Sequence, residues 1–256
     1  LENAIAWSYG LLAPAHRILL ARLAIFAGGF SLPAAEAICA APHAAHTRTQ
    51  DNPDDLAPAS IAEGLNALLD QSLLVREGTR TESGDDSVLV SQQQRTVVQG
   101  ATGKVDAPGR AVRRPCPACP VQSLREAAAA ESRFVLLETI RAFALEQLAA
   151  SGELTTLRQR HAEYFATWAE EAEVQLQGPK QIFCLACLER NIDNLRAALT
   201  WLLGADQLTL AARMACALVG FWQRHGHYSE GRRWLDQILA AITWQPIPDT
   251  LRCRTL

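Results

Sequence analysis

The chain has 256 residues, with 24 Lys and Arg against 27 Asp and Glu, and a formal net charge of −3. That balance predicts neither a nucleic-acid surface nor a membrane anchor, and no apolar run approaches the roughly 20 residues of a membrane span. Leu and Ala dominate over Val and Ile, which favours a mainly α protein, and seven cysteines without disulfide-scaffold spacing point to reduced thiols in a cytoplasm. No signal-peptide pattern is visible.

Leu1–Leu11 reads as a short helical segment. Pro14 suits the first turn of a second helix, expected to run to about Phe26 with Leu19, Leu23 and Phe26 inward. Ala27-Gly28-Gly29-Phe30 reads as a tight turn, because paired glycines accept backbone angles that other residues resist. Ser31 is placed to cap a third helix. Residues 41–59 are polar and Pro-interrupted, and read as a loop. Ser60-Ile61-Ala62-Glu63 matches a capping box, and Ile61, Leu65, Leu68 and Leu69 follow with the spacing of a buried helix face. Leu73-Leu74-Val75 reads as a strand.

Residues 78–131 are rich in Gly, Ser, Thr, Gln and Arg and lack periodicity. Such a segment buries too little apolar area to offset its ordering entropy, which predicts a mostly disordered insertion. With it set aside, Leu73–Val75 and Arg133–Leu137 become the arms of a hairpin. Glu138 then opens a helix with Ile140, Ala144 and Leu148 on one face, closed by Gly152. Helices followed by a hairpin make a winged-helix pattern, so residues 1–151 are expected to form one domain.

Residues 152–245 read as helical throughout. Leu157, His161, Tyr164, Phe165, Trp168 and Ala172 share a face before Gly178-Pro179. Leu185, Leu188, Ile192, Leu195, Leu199 and Leu202 form one stripe to Gly204, and Leu208, Ala212, Ala215, Leu218 and Trp222 form another to Gly226. Ser229–Ala241 is the last helix. Stacked hairpins of this kind imply an α-solenoid. Gly226-His227-Tyr228 with Gly231 matches tetratricopeptide positions. Residues 246–256 form a tail with Pro246 and Pro248. Leu1 already lies in a helical pattern and Met214 is the single methionine, so a piece of a longer polypeptide is expected.

Three stretches carry a family resemblance: AIAWSYGLLAPAHRILLARLAIFAGGFSLPAAEAIC from Ala4; GLNALLDQSLLVRE from Gly64 with RFVLLETIRAFALEQLAASGE from Arg133; and RHAEYFATWAEEAE, ERNIDNLRAALTWLL and FWQRHGHYSEGRRWLDQIL from Arg160, Glu189 and Phe221. Together they resemble the region behind the nucleotide-binding domain in STAND-class ATPases of bacterial transcription regulators, the predicted-ATPase, LuxR-type and antibiotic-regulator-type proteins. The resemblance implies a winged helix that docks on an upstream ATPase core and a tetratricopeptide-like array that senses a partner or small effector. It implies no cofactor in this chain, with ATP or ADP only in an upstream domain. Two departures stand out. Val98 to Val105 (VQGATGKV) lacks the first Gly and the terminal Ser or Thr of a phosphate loop. Leu137 stands where related NTPases often carry a phosphate-contacting His, and it cannot donate a hydrogen bond.

No nucleophile elbow, metal motif or acid–base pair is visible, so an enzyme is not expected. Leu1–Glu77 holds four Arg and eight acidic groups, a net −4, and the presumed recognition helix has no Lys or Arg. Since DNA affinity rests on neutralising phosphates, no direct DNA binding by this chain is expected. Cys116, Cys119, His43 and His46 are a remote zinc candidate, against the bland reading of solvated loops. Cys184 and Cys187 read as packing residues. His161, His225 and His227 read as structural or exposed, with no carboxylate constellation around them. Trp201, Trp222, His227, Tyr228 and Trp234 are the candidate interaction surface, although aromatics at helical spacing also suit a repeat core. The alternative to a regulatory segment is a stand-alone helical scaffold that binds a peptide or protein.

Overall fold

The computed structural model describes residues 2–40, 58–77 and 133–242. The expected loop as far as residue 57, all of the 78–131 insertion, and the tail lie outside the described residues. So do His43, His46, Cys116 and Cys119. The described chain is mainly helical, with a small antiparallel sheet.

The first part comprises α1 (Glu2–Leu11), α2 (Pro14–Leu23), β1 (Gly29–Phe30), α3 (Leu32–Cys39), α4 (Pro58–Asp70), β2 (Val75–Glu77), β3 (Arg133–Val135) and α5 (Glu138–Ala150). Pro14 opens α2 as expected, and Leu19, Leu23 and Phe26 are fully buried. The regular helix stops earlier than expected, because Ala24, Ile25 and Phe26 bond back three residues rather than four. Ser31 caps α3 by accepting from the Ala34 amide at 3.5 Å. Ser60 does not start α4. Pro58 occupies the first helical turn, where its missing N–H costs nothing, and Ser60 falls inside the helix.

The expected hairpin forms, but its first arm is shifted. Ser72 takes a positive φ of 58°. The Leu73 amide reaches the Leu68 carbonyl at 3.0 Å while the Ser72 amide reaches Leu69 at 2.9 Å. These two bonds make a Schellman closure, which tucks Leu73 and Leu74 into the core and leaves Val75–Glu77 to pair with β3. A third strand comes from the glycine turn: Gly29 and Phe30 pair with Val135 and Phe134, so the sheet order is β1-β3-β2.

The second part comprises α6 (Leu154–Gln175), α7 (Gln181–Arg190), α8 (Ile192–Gly204), α9 (Leu208–His225) and α10 (Tyr228–Ile242). The long stripe read as a single helix is two. Asn191, with φ −107° and ψ 11°, ends α7 and begins α8, and its amide nitrogen donates to the Cys187 carbonyl at 3.0 Å. The apolar spacing survives this break, with Leu188, Leu195, Leu199 and Leu202 all buried. Helix α9 packs against α6, α8 and α10. Gly231 lets α10 approach α9 closely, because a Cβ there would meet the Trp222 ring at 2.6 Å. None of the described helices is long and apolar enough to cross a membrane.

Candidate functional site: the joint between sheet and helical array

The glycine turn before β1 ends against the array, and its polar groups are satisfied there by one side chain. Asn194, on the first turns of α8, is fully buried. Its Oδ1 accepts from the Ala27 amide at 2.9 Å, and its Nδ2 donates to the Gly29 carbonyl at 2.9 Å. Those two backbone partners fix which end of the amide points where. The same Oδ1 lies 3.3 Å from His161 Nε2. An amide oxygen can only accept, so Nε2 carries the imidazole proton.

His161 sits in an aromatic box on α6. Phe26 meets its ring edge-on at 5.7 Å and Phe165 lies at 4.7 Å, while Phe26 stacks on Phe30 at 4.6 Å. Burial drives its pKa down to about 4; the Asn194 hydrogen bond opposes this and the Arg141 charge adds to it. The imidazole is therefore neutral at pH 7.

Arginines reinforce the joint. Arg22, from α2, forks onto Glu153 ahead of α6, with Nε to Oε2 at 2.9 Å and Nη2 to Oε1 at 2.6 Å, and donates from Nη1 to the Cys39 carbonyl at 3.1 Å. Arg141 donates to the Phe26 carbonyl at 2.7 Å, and Arg160 to the Ala40 carbonyl at 2.7 Å. Arg133, on β3, contacts Asn191 Oδ1 at 3.1 Å, Glu77 Oε2 at 3.0 Å and the Arg190 carbonyl. Its guanidinium passes so close to Gly29 that a Cβ there would collide with it. The Gly29 and Ala40 carbonyls of the first part are thus held by Asn194 and Arg160 of the second, while Arg133 of the first part reaches Asn191 and the Arg190 carbonyl of the second and Arg22 pairs with Glu153.

The sequence-predicted residues fall elsewhere. Trp222 and Trp234 are 5% and 7% exposed and belong to the core, so they offer little surface to a partner. Trp201 packs against the core at its edge, while Tyr228 is 63% exposed. His227 is half-buried and close to Glu189, with Nε2 to Oε2 at 2.9 Å, and His225 Nδ1 reaches the same oxygen at 3.3 Å. This corrects the reading of histidines without a carboxylate, since α7 delivers Glu189 to them. Cys184 is buried, with its thiol 3.5 Å from the Ala172 carbonyl and its pKa pushed up to about 11 by burial. Leu137 is 52% exposed at the start of α5, beside buried Leu136. Neither Asn194 nor Glu189 was singled out from sequence; both lie in the ERNIDN string, and their partners are remote in the chain.

Proteins of Mycobacterium bovis and of two strains of Mycobacterium tuberculosis, provisionally named HTH-type transcriptional regulators, are each 30% identical to the chain over 239 residues. The match covers 93% of the chain and 20% of each relative, so the chain spans about a fifth of their length. No protein-family profile matches the chain, and no solved structure matches it. The expectation of no direct DNA binding is corrected here. The relatives' name places DNA among the partners of those proteins, and the expectation rested on the net charge of the first 77 residues and on a helix without Lys or Arg. A net charge sums groups over a segment and does not describe the local field that a phosphate meets.

Proposed function

We propose that the chain is a control segment of a bacterial transcription regulator. Its winged-helix part, residues 1–151, docks on a nucleotide-binding domain of the STAND class and holds it inactive. The helical array that follows senses a protein or small effector and releases the hold. The joint at Asn194 is the observation that supports this reading. A ligand on the array can bias the first part only if the two are mechanically continuous, and a fully bonded buried amide gives that continuity. Leu137, exposed at the N-terminus of α5, offers an apolar contact in place of a phosphate-sensing His. ATP or ADP belongs to the nucleotide-binding domain. The likeness to proteins named HTH-type regulators agrees with a regulatory role, with DNA as a partner of the assembled protein.

The in-frame coding sequence upstream of Leu1 tests the proposal. A phosphate loop and an acidic magnesium-binding strand within a few hundred codons support it. A stop codon in frame immediately upstream overturns it.

A further inference from the structure

We propose that Glu189, His225 and His227 form a three-ligand site for a divalent transition-metal ion, zinc foremost, at the corner where α7, α9 and α10 meet. Glu189 lies on the last turn of α7, and His225 and His227 bracket Gly226 between α9 and α10. Gly226 adopts φ +81°, a conformation that L side chains rarely take, and this turn sets the two imidazoles on one side of the chain. Their rings are nearly parallel, 14° apart with centroids at 6.3 Å.

The distances suit an ion. Glu189 Oε2 is 3.3 Å from His225 Nδ1 and 2.9 Å from His227 Nε2, and the three ligand atoms lie within 4.8 Å of one another. Tetrahedral zinc with bonds of about 2.0–2.1 Å separates its ligand atoms by roughly 3.3 Å, so small ring rotations bring the set to binding geometry. An ion would take the place of the present contact between His227 Nε2 and Glu189 Oε2. The orientation is already fixed: Phe221, fully buried, stacks on His225 at 5.4 Å and lies 5.6 Å from His227. The neighbouring cation Arg196 is committed to Glu230 through two bonds of 2.7 Å.

Two imidazoles and one carboxylate select zinc, nickel, cobalt or copper over calcium and magnesium, which prefer all-oxygen shells. Three protein ligands leave a fourth position open to water or to a donor from a partner. Side-chain exposures of 26–41% keep that position reachable. Binding would fasten the end of α7 to the α9–α10 corner, in the array that the proposed function makes the sensor. The site itself does not depend on that function.

The chain, stripped with chelator, is titrated with zinc by calorimetry and with cobalt by visible absorption, alongside His225→Gln and His227→Gln. The expected result is one zinc equivalent in the parent that is lost, or weakened at least tenfold, in each variant. The cobalt spectrum should be that of nitrogen and oxygen ligands, without a thiolate charge-transfer band. Zinc should also raise the parent's melting temperature and leave the variants' unchanged. No zinc uptake by the parent at micromolar concentration, parental uptake by both variants, or a cobalt spectrum dominated by thiolate overturns the site.

Discussion

Removing the Asn194 amide should loosen the joint far more than its size suggests. In Asn194→Ala the Ala27 N–H, the Gly29 C=O and the His161 Nε2–H lose their shared partner, having been held at 2.9, 2.9 and 3.3 Å. Each unsatisfied buried group costs about 1–3 kcal/mol, and the three do not add in full because water enters the cavity, so a loss of about 3 kcal/mol is expected. For a folded unit of this size about 1 kcal/mol shifts Tm by roughly 2–4 °C, which predicts a fall of about 6–12 °C in a calorimetric or circular-dichroism melt at pH 7.5. Asn194→Asp separates the hydrogen-bond argument from a volume argument. It keeps the shape but turns a carboxylate oxygen onto the Gly29 carbonyl, so it too should melt well below the parent. A parental Tm for Asn194→Asp, or a fall under about 2 °C for Asn194→Ala, refutes the reasoning.

Other predictions follow from single contacts. His161 has a folded-state pKa of about 4, below its ordinary 6.5, so the unfolded chain takes up the proton first. Stability is therefore full above pH 6.5 and lost as pH falls towards 4, by roughly 3 kcal/mol in all at about 1.4 kcal/mol per unit; urea midpoints of the parent should show this fall and those of His161→Phe a flatter one. Gly231→Ala drives a methyl into the Trp222 ring, which a Cβ would meet at 2.6 Å. It should cost about 1–3 kcal/mol by overpacking and alter the near-ultraviolet tryptophan signal, and an unchanged signal and Tm would refute the close approach. Leu68→Ala, at a fully buried position on α4, should cost about 2–5 kcal/mol in urea unfolding; an unchanged midpoint would remove Leu68 from the core.

What the sequence made legible was local. The stripes Ile61-Leu65-Leu68 and Ile140-Ala144-Leu148 are buried, because helical periodicity is written within a few residues. Gly226 and Ser31 act at helix ends as their chemistry predicts. Misreadings came where two local signals competed. Pro58 overrode the capping box at Ser60, and the closure at Ser72 moved the strand from Leu73 to Val75. Strand β1 has two residues, too few for alternation to show, and it exists only because β3 offers an edge. The joint was not legible at all. Asn194 meets Ala27 and Gly29 across separations of 167 and 165 residues, and Glu189 meets His227 across 38. A polar residue gives no sequence sign of which distant backbone it will satisfy.

In the proposed function this chain restrains a nucleotide-binding domain through its winged-helix part. With a phosphate-loop domain found upstream in the same reading frame, the chain is titrated into it by calorimetry, the domain loaded with ADP and then with a non-hydrolysable ATP analogue. Saturable binding to the ADP form is expected, at least tenfold weaker with the ATP analogue. No binding to either form, or equal binding to both, would contradict it.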